Sequence, residues 1–417
     1  MIIKILLRSY NDFDQILPVI DFLKKYTNHS LEIYKSSSVI DNCTDHLNFL
    51  TNKYNIKVDD FYDVHFNKKD LKKIFLYKDI EKFIYKILKP FFWGDLIARY
   101  FCTRLQKLFE KIIKKNILNH FDKSTILLLD TGNDQTYPLN ILIKHINSIC
   151  FAHGYSVYVN LDCSRKKILN HKLLKDRIKI FLNNYKRRPY SNKYITAPLQ
   201  RDTYFKSSLS PEFYAIDKVK EIGAPRFTRE WCKELSKLYQ NIQFSYGDPT
   251  KTNIVLFVSH FSYNVNEKSF YDLFKTMNEC EDINFVFKPH TRGNLYGVEE
   301  DRISGFNAQD IPSFVLSRWA DIGILFGSSI GLQLLNDKTP ILLPNYIDTN
   351  LTIYEKYNLC KVVHSNEELK KIVRMNKESL KKIRSDKDIG NFLKKFVYGG
   401  KNYQDMMSSF IKEIADN

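Results

Sequence analysis

The chain has 417 residues, 44% of them hydrophobic, with fourteen glycines and twelve prolines. That balance excludes a disordered or fibrous chain and suffices for two domains of about 200 residues each. The formal net charge of +17 points to an anionic partner, a condition that nucleic acid, a lipid surface and a phosphorylated substrate all meet.

Seven cysteines stand at 43, 102, 150, 163, 232, 280 and 360 with no CxxC pair, so neither a disulfide framework nor a metal-ligand spacing is present. A reducing compartment, the cytoplasm, is expected.

In chain order the first predicted element is MIIKILL (1–7), a buried strand interrupted at Lys4 and closed at Arg8, too short for a signal peptide. No run approaches the roughly 18–20 apolar residues of a membrane span, so an integral membrane protein is not expected. LEIYKS (31–36) is the next strand.

Residues 68–121 then form a long helical insertion with lysines interleaved among Phe, Tyr, Leu and Ile, broken or kinked at Pro90. One reading is a basic amphipathic surface resting on anionic lipid at the inner face of the cell membrane. Phe91, Phe92 and Trp93 would then anchor it at the interface. The other is a core-facing apolar stripe with a solvated lysine face.

Strands STILLLD (124–130) and SICFAHG (148–154) complete the first half. The basic stretch 175–193 marks a boundary, giving domains at 1–185 and 190–395, with a terminal helical segment at 396–417 that crosses back to the first. The second half carries KYITAP (193–198), KVKEIGAP (218–225), NIVLFVS (253–259), INFVFKPH (283–290), DIGILFGSS (321–329) and TPILLP (339–344). Strands alternating with helical segments predict an α/β fold with parallel sheets covered on both faces.

Ligands of open α/β sheets bind beyond the carboxyl ends of strands. Two motifs fall there. FVFKPHTRGN (285–294) ends a strand by presenting Lys288, His290 and Arg292, donors suited to a pyrophosphate or a departing phosphate. FGSSIGLQLL (326–335) ends another with a helix starting at Ser328 or Ser329, where exposed N–H groups and hydroxyls suit a phosphate. Gly327 allows close backbone approach. Each motif alone also fits a plain helix cap or a chance strand end.

The runs EIGAPRF with Glu230 and Trp231, NIVLFVSHFSYN, FVFKPHTRG and RWADIGILFGSSIGLQLLNDKTPILLPNYID resemble the C-terminal half of GT-B glycosyltransferases. CDP-glycerol glycerophosphotransferases and related capsule or surface-polysaccharide transferases are the nearest in pattern, over roughly 190–365. FAHG (151–154) resembles that group's His-Gly motif at the domain cleft.

The resemblance implies two Rossmann-like domains facing across a cleft and a nucleotide-activated donor held mainly by the second domain. The acceptor, a polysaccharide or glycolipid hydroxyl, would meet the first. It implies His153 as general base; Asp130 and Asp134, at and beyond the end of the STILLLD strand, are read from their position as acceptor contacts or alternative bases. Lys288, His290, Arg292, Gly327, Ser328, Ser329, Pro225 and Arg226 fall on the donor side.

The family's Asp-Tyr-Ser-Ser is here Phe326-Gly327-Ser328-Ser329. That leaves the donor open among a CDP-polyol, a CMP-sugar and other nucleotide sugars. No DxD-type motif closes a strand, so metal independence is expected, as is the absence of any cofactor. A nucleic-acid partner is not expected, because the charge is spread and no RNP, KH or zinc signature occurs. A GT-B scaffold without catalysis is the remaining alternative.

Overall fold

Each buried run found in the sequence becomes a strand, and three short strands join them at sheet edges. The computed structural model describes residues 1–88, 94–117, 121, 125–130, 146–152, 154–159, 191–200, 218–258, 265–290, 303–383 and 385–416. The first sheet contains β1 (Ile2–Leu7), β2 (Ser30–Lys35), β3 (Val58–Asp60), β4 (Thr125–Asp130), β5 (Asn147–Phe151), β6 (Lys193–Thr196) and β7 (Val219–Glu221), hydrogen-bonded in the order 3-2-1-4-5-6-7. The second contains β8 (Thr252–Phe257), β9 (Ile283–Lys288), β10 (Phe306–Asn307), β11 (Ile322–Leu325), β12 (Ile341–Pro344) and β13 (Lys361–Val363), in the order 10-9-8-11-12-13. The strand pairs are parallel in both sheets.

Both faces of the first sheet are covered, so β1 is apolar on both sides. One face packs against helices α1 (Tyr10–Tyr26), α2 (Thr44–Tyr54) and α6 (Arg229–Leu238). The other packs against Phe61, Tyr62, Ile74 and Phe121. Lys4 is tolerated within this strand because its ammonium lies 4.6 Å from the Phe121 ring centroid and 3.1 Å from a Glu32 carboxylate oxygen. Helix α1 begins with a capping box in which the Ser9 backbone N–H donates to Asp12 Oδ2 at 2.9 Å.

The expected domain limits need correction. KYITAP and KVKEIGAP, assigned above to the second half, supply β6 and β7 of the first sheet, where Cys150 registers with Tyr194 and Tyr194 with Val219. The basic stretch breaks the sequence pattern without breaking the sheet, and short parallel strands read alike in either domain. The change of sheet lies between Glu221 and Thr252. The terminal helix (Tyr403–Ala415) sets Met406, Met407, Phe410 and Ile414 into the core of the first sheet, and Lys193 pairs with Glu413 at 3.2 Å.

The insertion forms an antiparallel helical hairpin, α4 (Lys68–Leu88) with α5 (Gly94–Ile117). Asn116 Nδ2 donates to Asp70 Oδ2 at 2.8 Å, tying the start of α4 to the end of α5. Pro90, Phe91, Phe92 and Trp93 lie outside the described residues. Among the described residues no helix is long and apolar enough to cross a membrane.

Candidate functional site

The carboxyl ends of the two sheets approach each other through one segment of chain. After β5, residues 154–159 leave the first sheet and lie on the second: the Val159 N–H donates to the Leu351 carbonyl and the Ile353 N–H to the Val157 carbonyl, both at 2.8 Å. Tyr158 pairs with Thr352 as an antiparallel bridge. Its hydroxyl donates to Asp348 Oδ2 at 2.9 Å and lies 3.4 Å from the Phe326 carbonyl oxygen. Burial raises the Asp348 carboxyl above its ordinary range, against the Asn350 amide and the Tyr158 hydroxyl, which favour its charge.

This strap ends on the turn that follows β11. Gly327 has φ +58°, and a Cβ there would stand 2.0 Å from the Tyr158 ring tip, so both conformation and space require glycine. Ser328 and Ser329 begin the helical turn that leads into α9 (Gly331–Asp337): the Gly331 N–H donates to the Ser328 carbonyl at 3.2 Å and the Leu332 N–H to that of Ser329 at 3.0 Å. The Tyr354 hydroxyl donates to the Ser328 carbonyl at 2.7 Å and fixes the turn from below. Both serines are partly exposed. The first amides of such a turn have no acceptor within the helix.

His290 follows β9 at the same edge of the sheet and is partly exposed. Lys288 does not share that exposure. It is buried, its ammonium donates to the Gln309 carbonyl, and burial pushes it down to about 8, although Asp310 favours its charge. It therefore lies in the wall of the second domain, one reason being that it is the last residue of a fully buried strand.

Arg226, expected on the donor phosphates, is also buried. Its Nε donates to Asp14 Oδ2 of α1 at 2.5 Å, and Asp14 Oδ1 stands 3.4 Å from His46 Nε2. Burial opposes the charge on Asp14, yet Arg226 and His46 hold its carboxyl below the usual range. Arg226 Nη1 has no partner among the described residues. Nearby, burial pushes the Cys232 thiol up to about 11, and its Sγ donates to Gln333 Oε1 at 3.0 Å. Arg226 is thus a joint between α1 and the start of the second domain.

Pro225 opens the short 3-10 turn that carries Arg226. It lines a cavity of about 40 Å³ together with Ala152, Gly154, Tyr155, Thr196 and Gln200. Ala152 and Gly154 flank His153, which itself lies outside the described residues, as do Arg292 and Asp134. Asp130 ends β4. Among the described residues no group of three His, Cys, Asp or Glu is placed to hold a metal ion.

Tyr158, Asp348, Asp14 and Tyr354 were not singled out from sequence. YSVY after the FAHG run gave no periodic signal, and only the pairing of distant loops identifies them. Asp14 had one available cue, an acidic residue in the helix that follows the first strand.

No family model matches the chain, and no curated protein matches it. Among solved structures, the chain resembles UDP-GlcNAc 2-epimerase from Neisseria meningitidis bound to UDP-GlcNAc, at 11% identity and TM-score 0.51 over 100% of both chains. UDP-GlcNAc 2-epimerase from Methanocaldococcus jannaschii in complex with UDP-GlcNAc and UDP matches at 13% identity and TM-score 0.47 over 100% of both. The glycotransferase of kitacinnamycin matches at 10% identity and TM-score 0.48, over 94% of this chain and 95% of that one. Two parallel sheets joined at their carboxyl ends, with the whole length of the chain matched, give this protein the GT-B fold.

Proposed function

We propose that the protein is a metal-independent transferase. It moves a sugar or polyol-phosphate unit from a nucleotide-activated donor to a hydroxyl of a surface polysaccharide or glycolipid. A CDP-polyol or a CMP-sugar is the favoured donor, in keeping with the resemblance to CDP-glycerol glycerophosphotransferases. The observation that supports this reading most is the strap: Tyr158, in the segment 154–159 that follows FAHG, rests on the Gly327 turn of the second domain and gives its hydroxyl to Asp348.

In this reading the donor phosphates meet the Ser328–Ser329 turn, with His290 and Arg292 as further donors. His153 takes the proton of the acceptor hydroxyl as its oxygen bonds to the reacting centre. The bond to the departing phosphate breaks, and the nucleotide leaves with that electron pair. Asp130 and Asp134 are the alternative bases.

Calorimetry and turnover on two variants test the assignment. His153→Ala is expected to keep nucleotide affinity and lose about 10²–10⁴-fold in turnover. His290→Ala is expected to lose both, because phosphate contacts act in ground and transition states alike. Equal loss of affinity in both variants would overturn the division of roles. Nucleotide sugar interconverted without any acceptor, the kind of reaction the name of the Neisseria protein describes, would overturn transfer itself. Absence of nucleotide release with every donor would favour the scaffold.

A further inference from the structure

The hairpin α4–α5 presents apolar side chains on the side a soluble helix normally gives to water. Ile74, Ala98 and Cys102 are its buried apolar residues among those described, and Glu81 lies beside Cys102. On α4, Leu76, Phe83 and Ile87 recur with Ile80 at spacings of four, three and four, which makes one stripe along the helix. That stripe points away from Ile74. The antiparallel register, Asp70 to Asn116 and Glu81 to Cys102, brings Phe83 and Ile87 level with Phe101 and Ile97 of α5. Leu76, Phe83, Ile87, Ile97, Tyr100 and Phe101 are each between 42% and 62% exposed. They form a ridge larger than scattered surface apolar residues account for.

The charge around the ridge is one-sided. Residues 68–117 carry fourteen lysines and arginines against five acidic residues, more than half of the chain's net charge in an eighth of its length. Lys72, Lys73, Lys82 and Lys86 are exposed and flank the stripe on α4. An exposed apolar stripe edged by long cations fits an anionic bilayer surface. Aliphatic and aromatic side chains enter the acyl boundary while lysine stems reach up to the headgroups. Neither helix is apolar enough to cross a bilayer, so the hairpin would lie in its surface.

We infer that this ridge seats the protein on an anionic lipid bilayer. The inference goes beyond the transfer reading and does not depend on it.

Flotation of the full chain with vesicles of phosphatidylcholine alone, and of phosphatidylcholine with phosphatidylglycerol, tests it. Binding is expected only to the anionic vesicles. The combined variant Lys72→Glu, Lys73→Glu, Lys82→Glu, Lys86→Glu and the combined variant Phe83→Ser, Ile87→Ser, Phe101→Ser should each lower partitioning at least about 10²-fold. Circular dichroism melts check that both remain folded. Undiminished flotation of either folded variant would overturn the proposal. So would the absence of flotation together with a concentration-dependent dimer that the second variant dissolves, since the ridge would then be a contact between two copies. Nucleotide affinity unchanged in both variants separates this outcome from any failure of the transfer reading.

Discussion

The turn after β11 and the hairpin α4–α5 use aromatic side chains in opposite ways. At the turn, Phe326 is fully buried, and Tyr158 covers Gly327 and gives its hydroxyl to a buried carboxylate. On the hairpin, Phe83 and Phe101 stand outside, among lysines. The first arrangement is steric and specific to each residue, so single changes there should be costly. The second is additive and electrostatic, so changes there should leave the fold intact and alter what the surface binds.

The largest effect is expected at the joint beneath the turn. Arg226→Met leaves the largely enclosed Asp14 carboxylate with His46 as its remaining cationic neighbour, and breaking a buried pair costs about 3–5 kcal/mol. Urea unfolding should show that loss, and Asp14→Leu added to Arg226→Met should recover most of it, because two apolar groups need no charge partner. If the double variant were no more stable than the single one, the pair would not be what holds α1 to the second domain.

Next comes Gly327→Ala. A positive φ costs a non-glycine residue about 1 kcal/mol or more, and the added methyl meets the Tyr158 ring, so a loss of about 2–4 kcal/mol is expected. Tyr158→Phe keeps the ring and removes the donor to Asp348, for an expected loss of about 1–3 kcal/mol. The two losses should not add in a double-mutant cycle, since both act on one contact. Simple additivity would show that the strap and the turn are independent.

A smaller, pH-dependent effect is expected from Lys288. Unfolded, a lysine holds its proton up to about pH 10.4. Burial brings the folded value to about 8, so between these values the unfolded state binds more protons and stability rises with pH. Below pH 8 the buried charge weakens the fold. Lys288→Met should flatten this rise and add about 1 kcal/mol at pH 7, after loss of the bond to the Gln309 carbonyl. Unfolding curves of both proteins at pH 7 and pH 9.5 check the sign, and a rise that persists in the variant would assign it to another group.

How far the sequence could be read follows the same division. Central strands such as β1, β8 and β11 are mainly apolar, with Lys4 the one break in β1, because both of their faces are covered, and each was legible. The strands missed, VDD, FN and KVV, all sit at sheet edges, where half of the backbone is unpaired and the apolar run is lost. The glycine and serines of the turn were legible because a chain reversal and a helix start constrain residue type locally. Tyr158 and Asp348 were not, since their meaning comes from a contact across 190 positions. Lys288 was read as a ligand donor from its charge at a strand end, and Arg226 from the resemblance of the EIGAPRF run. Burial, which sequence near a strand end does not encode, turned both inward.

The smallest effect on stability is expected from the hairpin, and it is the sharpest check on the contrast. Lys72, Lys73, Lys82 and Lys86 are exposed, and the pair of Lys82 with Asp79 is long at 3.8 Å with both side chains largely in water. Their combined replacement by Glu should change unfolding free energy by no more than about 0.5 kcal/mol at moderate salt. At low salt the variant should melt slightly higher than the parent, because like charges crowd these helices and screening is weakest there. Melting curves at two salt concentrations read both quantities. A loss of about 2 kcal/mol or more, insensitive to salt, would mean that the lysine stems pack against the fold. The hairpin would then belong with the turn after β11 instead of standing apart from it.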